Sequence, residues 1–195
     1  DLCTLKVSGF TDKGFLRFTE SPNNVQPVLQ PKTPAIIPDT RKIKGPILAG
    51  VEEDNVTELK TSIVFPAGGN GEPDIDTQLY IIIKTLTAFM NTEGGTLYIG
   101  VHDSTKQIVG IKDDYEHLNE GNDENNGTYK SKIRNKIDSL CPSVANSLIT
   151  ITFEKVGGAE YCKIVARKAK RPIWLDGDKL YVRQGNRLKK LEGDA

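Results

Sequence analysis

Charged side chains in the first half of the chain have types and spacing that suit metal-assisted cleavage of a phosphodiester. Glu58 and Lys60 flank Leu59 in a segment that alternates like a β-strand, so both project from one face. A carboxylate at such a position can bind Mg²⁺ or Mn²⁺, while the lysine orients a water or stabilises developing negative charge. The same pair is common on solvated strand surfaces, and the motif alone leaves both interpretations open.

Asp103 is a second candidate ligand for the same cation. It follows the apolar run from Thr96 to Val101 and the single residue His102. A polar residue at such a point often starts a turn, and Asp103-Ser104-Thr105-Lys106 has turn composition. If the strand before Asp103 lies beside the Glu58 strand, however, Glu58 and Asp103 can both supply oxygen ligands. His102 is more typical of an ordinary strand residue than of a ligand.

Basic residues are concentrated near the C-terminus. Ten lysines and arginines lie between Lys163 and Lys190, against only Asp176 and Asp178. Cationic side chains bind the phosphate backbone of nucleic acids, and interleaved aromatic rings can stack on bases. The candidate nucleic-acid-binding residues are Arg167, Lys168, Lys170, Arg171, Trp174, Arg183 and Arg187. The alternative is a solvated basic face that balances an acidic loop over residues 113–126.

Composition limits the remaining classes of protein. The 195 residues carry 26 basic and 26 acidic side chains, and 37% are hydrophobic, as in an ordinary globular protein. No apolar run approaches the roughly 18 residues of a membrane span, so we expect no membrane partner. The three cysteines are scattered, which fits reduced thiols in a cytoplasmic protein. The absence of an N-terminal Met suggests a piece of a longer protein. Motifs for a phosphate-binding loop or an HExxH zinc site are absent.

The elements that must position these residues can be predicted from hydrophobic periodicity. Residues 1–20 form a short β hairpin or the end of a preceding domain, residues 21–46 form a Pro-rich arm, and residues 47–195 form the compact domain. Within it, we expect a helix capped by Asp74 or Asp76 and ending at Met90, and a second helix from Thr128 to Leu140. The predicted strands cover 58–64, 96–101, 107–111, 148–156, 160–169 and 179–182. This order predicts an α+β fold, a mixed β-sheet covered on one side by two main helices.

The junction between the first helix and the next strand is Asn91-Thr92-Glu93-Gly94-Gly95. Glycine tolerates the left-handed backbone that ends a helix, so the Gly-Gly pair predicts a helix stop followed at once by a strand. Asn91 and Thr92 can hydrogen-bond the exposed end of the last turn. Most of this junction is therefore expected to be architectural.

These segments together resemble the Schlafen-type AlbA-like domain, which in bacteria is often described as a DNA-binding domain. The resemblance covers about residues 50–191. It is carried by Glu58-Leu59-Lys60, by the block from Thr87 to Asp103 (TAFMNTEGGTLYIGVHD), by Ile108-Val109-Gly110-Ile111, by Lys170-Arg171-Pro172-Ile173-Trp174, and by Tyr181-Val182-Arg183-Gln184-Gly185-Asn186.

The resemblance implies a mixed sheet with helices on one face and a DNA or RNA ligand. Some animal Schlafen relatives cut RNA with three carboxylates, which correspond by position to Glu53, Glu58 and Asp103 here, beside Lys60 of the same motif. The zinc site of those relatives has no counterpart. They also pair two such lobes around a groove, and a homodimer of this chain would supply the second lobe.

Three functional hypotheses therefore stand at the level of the sequence. The first is a nucleic-acid-binding module of a bacterial transcriptional regulator, which holds the phosphate backbone on its basic C-terminal face. The second is an Mg²⁺- or Mn²⁺-dependent endoribonuclease that uses Glu53, Glu58 and Asp103. The third is a protein–protein adaptor, which the neutral net charge favours.

Overall fold

The structure is a computed structural model that describes residues 7–10, 16–18, 45–67, 71–118 and 126–191. The chain divides into two units, residues 1–38 and residues 39–195. In the first unit, β1 (Val7–Phe10) pairs antiparallel with β2 (Leu16–Phe18), as expected for a hairpin. Almost all of the predicted Pro-rich arm lies outside the described residues.

The second unit is built on a four-stranded mixed sheet. Its strands are β3 (Thr57–Lys60), β4 (Gly95–Ile99), β5 (Ile149–Val156) and β6 (Ala159–Ala166), in the spatial order β3-β4-β6-β5. The β3–β4 pair is parallel and the other two pairs are antiparallel. The α1 helix (Ile75–Met90) connects the two parallel strands, since parallel neighbours need a crossover.

Two helices cover one face of this sheet. Alpha-helix α1 and the later α3 (Asn126–Leu140) contribute Leu86, Phe89 and Ile133 to the same core cluster as Leu97 and Ile164 of the sheet, and all five are at most 1% exposed. The predicted α+β fold with a mixed sheet under two main helices is therefore confirmed. No helix within the described ranges has the length and apolar character of a transmembrane span.

The ends of α1 follow local chemistry. The Asp74 carboxylate accepts the backbone N–H of Thr77 at 3.1 Å and so caps the first turn. At the other end Gly94 has a φ of +83°, and its N–H donates to the Phe89 carbonyl at 2.8 Å. Gly95 is needed for packing, because a Cβ there would lie 2.4 Å from the Phe89 ring.

The structure corrects the predicted acidic loop over residues 113–126. Part of it is the helix α2 (Lys112–Leu118). Asp114 is buried in this helix and accepts hydrogen bonds from the Ser62 hydroxyl, the Ile63 N–H at 3.1 Å and the Tyr129 hydroxyl. These long-range bonds stabilise a helix that composition alone would not predict. Burial is also the largest influence on Asp114 and raises its pKa.

Other elements differ in extent from the predictions. Strand β3 ends at Lys60 rather than at residue 64, and residues 107–111 contribute only isolated bridges, Ile47–Gln107 and Val101–Ile108. A one-turn helix α4 (Val144–Ser147) precedes β5. The C-terminal part contains a hairpin of β7 (Leu180–Gln184) and β8 (Arg187–Leu191), of which only the first strand was expected.

Candidate nucleic-acid interface

The segment Arg167–Trp174, which carries four of the six basic candidate residues, is held in place by the residue that follows α1. The Asn91 side chain accepts the Ile173 N–H at 2.7 Å and donates to the Ile173 carbonyl at 2.9 Å. It also donates to the carbonyl of Tyr181 in β7 at 3.0 Å. The Asn91 side chain thus joins the basic segment to the C-terminal hairpin, and only its backbone N–H, bonded to the Thr87 carbonyl at 2.9 Å, caps its own helix.

Thr92 makes the next connection. Its hydroxyl donates to the Ala88 carbonyl at 2.8 Å, as expected for a helix end, and accepts the Arg183 N–H at 2.9 Å. Gly94 lies under the basic segment, because a Cβ there would be 2.8 Å from the Ala166 carbonyl and 3.2 Å from the Lys168 nitrogen. The junction after α1 therefore supports both the basic segment and the C-terminal hairpin.

Arg183 lies elsewhere than the phosphate-binding hypothesis requires. Its guanidinium is buried, donates through Nη1 to Glu58 Oε2 at 2.8 Å and through Nη2 to the Asp54 carbonyl at 2.6 Å, and lies 5.1 Å from the centre of the Phe89 ring. These contacts anchor the C-terminal hairpin to β3 and α1. Arg183 is therefore not available to a phosphate in this structure.

The other basic candidates are exposed. Lys168, Lys170 and Arg171 line the outside of the segment, and Arg187 lies at the start of β8 beside the exposed Lys189 and Lys190. No side chain of these six residues makes a hydrogen bond or ion pair with another residue in the described part of the chain. Arg167 is also exposed, but its Nη2 donates to the Ser147 carbonyl at 2.7 Å. The structure thus brings the basic residues of one short segment together on the surface.

Two clefts flank this segment. The larger, of about 570 Å³, lies between it and α4, and it is lined by Val144, Leu148, Arg167, Lys168, Ala169, Lys170, Arg171 and Ile173. The smaller, of about 240 Å³, lies on the side of the C-terminal hairpin, where Leu180 and Val182 form part of its wall. Trp174 is 37% exposed and borders a separate cleft with Pro142 and Gly177, so its indole is accessible to a stacked base.

The candidate metal centre is organised differently. The β3 and β4 strands are neighbours, as the hypothesis required, with Glu58 opposite Leu97 and Lys60 opposite Ile99. Both oxygens of Glu58 are engaged, Oε1 by Lys60 Nζ at 2.5 Å and Oε2 by Arg183. A cation at this carboxylate would have to compete with two basic side chains. Glu53 Oε1 accepts the Leu59 N–H at 3.0 Å, which satisfies part of the strand edge.

Asp103 lies beyond the end of the strand pair. Its carboxylate is 61% exposed and accepts the N–H and the hydroxyl of Ser104 at 2.6 and 3.0 Å, so it makes the turn that its neighbours indicate. Partial burial acts to raise its pKa, but the Ser104 hydrogen bonds and the charges of His102 and Lys60 outweigh burial and hold the pKa below its ordinary value. Across the described ranges, no group of three or more His, Cys, Asp or Glu side chains is arranged to hold a metal ion.

Sequence reasoning missed several residues that shape the basic surface. The sequence suggests only a role at its own helix end for Asn91, and nothing in it marks the uncharged Val144 and Leu148 as neighbours of a basic surface. The sequence signal that points to Asn91 is its position: an amide side chain, with donors and an acceptor, directly follows the last residue of a predicted helix. No sequence signal links Val144 to the basic segment, because the two are distant in the sequence and line the same cleft only in the folded protein.

Comparison with known proteins identifies the family of this chain. The family model described as Schlafen, AlbA_2 matches residues 53–192, more than half of the chain. No curated protein matches the chain.

Two solved structures are similar at 19% identity each. The DIP2311 protein from Corynebacterium diphtheriae superposes with a TM-score of 0.48, with 70% of this chain covering 22% of that one. The N-terminal domain of a RecG-related protein from Nitrosomonas europaea has a TM-score of 0.38, with coverage of 64% and 72%. This chain therefore spans less than a quarter of the Corynebacterium protein. From the family match, the chain belongs to the Schlafen AlbA_2 family.

Proposed function

We propose that this domain binds nucleic acid, DNA or RNA, by placing the exposed basic residues of segment 167–171 and of strand β8 against the phosphate backbone. The observation that carries the proposal is the set of exposed cations on the basic segment, Lys168, Lys170 and Arg171, whose side chains have no ion-pair partner among the described residues. Unpaired surface cations attract a polyanion because binding releases condensed counterions.

The rigidity of the segment supports the same proposal. Its backbone is tied at three points: Arg167 N–H to the Leu148 carbonyl at 2.9 Å, Ala169 N–H to the Met90 carbonyl at 2.8 Å, and Ile173 N–H to Asn91. A fixed backbone reduces the ordering cost of binding, because only the side chains must adopt new rotamers. Membership of the Schlafen AlbA_2 family is consistent with a nucleic-acid-related function.

The second hypothesis, metal-dependent cleavage, is less well supported by the geometry. Glu58 is paired with Lys60 and Arg183, and Asp103 is committed to its own turn. The adaptor hypothesis is tied to no particular surface of the described residues, whereas the exposed cations of the basic segment suit a polyanion. Nucleic-acid binding therefore uses the observed surface best.

Fluorescence anisotropy with labelled DNA and RNA strands, titrated at several salt concentrations, tests the proposal. We expect binding that weakens steeply with salt, with a slope of about 0.7 to 0.9 per phosphate contact in log–log form. The double variant Lys168→Glu/Arg171→Glu should lose most of the binding and show a shallower salt slope.

A matched control is the double variant Lys112→Glu/Lys132→Glu. Both lysines are exposed, lie outside the basic segment and produce the same change in net charge. If this control loses as much binding as the segment variant, only the overall charge matters and the proposed interface is wrong. Absence of salt-sensitive binding to either DNA or RNA by the unmodified chain would reject the function itself.

A further inference from the structure

We propose that the larger cleft beside the basic segment binds an unpaired nucleobase, so that the domain recognises strands with exposed bases rather than only a regular phosphate backbone. The inference rests on the proposed function, because the same segment supplies the phosphate contacts. It adds a second binding component, an apolar one, to the electrostatic component.

The cleft has two chemically distinct parts. Its apolar lining residues, called the floor below, are Val144, Leu148, Ala169 and Ile173. Its basic lining residues, called the rim, are Arg167, Lys168, Lys170 and Arg171. No acidic side chain is among the described residues that line it, so a cationic ligand would find no partner. An anion with an apolar, planar portion matches both parts at once.

The apolar floor is accessible to a ligand. Val144 is 51% exposed although it is aliphatic, and Leu148 beside it is only half-buried. The volume of about 570 Å³ falls within the ~300–1,000 Å³ of small-molecule sites. Phosphate recognition needs none of this surface, because cations alone satisfy a phosphate. A base face that leaves water for Val144 and Leu148 would gain from burying both surfaces.

The walls of the cleft are preformed. Arg167 spans from the end of β6 to the Ser147 carbonyl with its guanidinium, and its N–H bonds the Leu148 carbonyl. These two bonds hold α4 at a fixed distance from the basic segment, so the floor lies directly beside the rim. In a regular duplex the base faces are stacked inside the helix and cannot enter a concave site. An unpaired base can do so while its flanking phosphates contact Lys168 and Arg171.

Two matched single strands of equal charge, one with bases and one without, provide the test. One strand of about 12 nucleotides carries thymine or uracil bases, and the other has the same phosphates with abasic sugars, each in ribose and deoxyribose form. Anisotropy at roughly 0.1 M salt gives the ratio of the two affinities, in which the phosphate contribution cancels. We expect the base-bearing strand to bind about 10-fold more tightly.

The variant Val144→Asp locates the base contact. Val144 is half exposed, so the substitution should leave the fold intact, and we expect the affinity ratio to fall toward one. The control is Val156→Asp, which makes the same substitution at a 39% exposed valine at the far end of β5. It lies about 23 Å along the strand from Ile149. This control should retain the ratio of the unmodified chain.

The outcomes separate the two proposals. Equal, salt-sensitive binding of base-bearing and abasic strands overturns the cleft inference and leaves the proposed function intact. Failure of both strands to bind removes the proposed function and the inference together. A Val144→Asp variant that keeps the ratio also overturns the inference.

Photocrosslinking provides a measurement that does not depend on a variant. A 4-thiothymidine or 4-thiouridine strand bound to the unmodified chain should crosslink to peptides within 144–148 or 167–173, identified by mass spectrometry. Crosslinks that lie only outside these two ranges would place the base elsewhere and contradict the inference.

Discussion

Arg183 and Glu58, 125 positions apart in the sequence, form a buried ion pair in which Nη1 and Oε2 are 2.8 Å apart. The pair joins the C-terminal hairpin to the edge strand of the sheet. It also removes one arginine from the basic surface and occupies one of the proposed metal ligands. A single contact therefore bears on both functional hypotheses.

Replacing Arg183 with Ala should strongly destabilise the domain. The change leaves the Glu58 carboxylate with Lys60 alone and leaves the Asp54 carbonyl without its donor, so we expect the free energy of unfolding to fall by about 3 kcal/mol. Urea denaturation followed by circular dichroism measures this. Arg187→Ala, at the exposed start of β8, is the control and should change stability by about 0.5 kcal/mol or less.

A double-mutant cycle checks the cause of that loss. If the loss of Arg183 as the partner of the largely buried Glu58 carboxylate is responsible, Glu58→Met combined with Arg183→Met should recover part of the stability lost in the single variants. Simple additivity of the two single effects would show that the contact contributes little as a pair.

Asn91→Ala should loosen the basic segment. The substitution removes three hydrogen bonds, two to Ile173 and one to Tyr181, and should cost about 2 kcal/mol of unfolding free energy. Hydrogen exchange should show faster exchange of the Ile173 amide. Asn135→Ala, at an exposed position of α3, should leave both quantities unchanged. Unaltered exchange at Ile173 in the Asn91 variant would mean that the segment is held by its other contacts.

The Gly-Gly junction allows a comparison of backbone conformation and packing. Gly94 and Gly185 both have positive φ, +83° and +61°, so Ala at either position incurs about 1–2 kcal/mol of backbone strain. Only Gly94→Ala also places a Cβ 2.8 Å from a carbonyl, whereas Gly185 has open space. We expect Gly94→Ala to be at least about 1 kcal/mol more destabilising in urea titrations. Equal losses would indicate that the main chain near Ala166 moves aside without cost.

Cys141 and Cys162 should react slowly in the folded protein. Burial raises the pKa of Cys141 to about 12 and also raises the pKa of Cys162. The thiolate is the reactive form, so a raised pKa lowers its fraction, for Cys141 by about a thousand-fold at pH 8 relative to a free thiol. Peptide mass spectrometry after iodoacetamide treatment should show both sites modified far more slowly in the native than in the denatured protein, with Cys162, the more buried of the two, the slower. Rapid native labelling of Cys141 would contradict its burial.

Metal addition tests directly whether the Glu58 carboxylate can hold a cation. Because both Glu58 oxygens are paired with cations, we expect millimolar Mn²⁺ to leave the melting temperature within about 1 °C of its metal-free value. A larger rise that disappears in Glu58→Gln would demonstrate a metal site and favour the nuclease hypothesis. Glu116→Gln, on the exposed face of α2, serves as the control for non-specific cation binding.

Local features of the fold could be predicted from the sequence alone. The helix that ends at Met90 and its stop at Gly94 follow from hydrophobic periodicity and a residue without a Cβ. The sequence offered Asp74 or Asp76 as the cap, and the structure shows that it is Asp74. The order of strands and helices along the chain was enough to predict a mixed sheet. These features are encoded by neighbouring residues, so one segment at a time is sufficient to recognise them.

Only the tertiary structure shows which charged side chains are buried in ion pairs and which are exposed. In the sequence, Arg183 and Arg187 are equivalent members of one basic stripe, yet one is buried against Glu58 and the other is exposed. The partners of Arg183 come from residues 54, 58, 89 and 92, and those of Asn91 from 173 and 181. Charge alone does not determine burial, because a buried ion pair depends on which distant groups the fold brings within hydrogen-bonding distance.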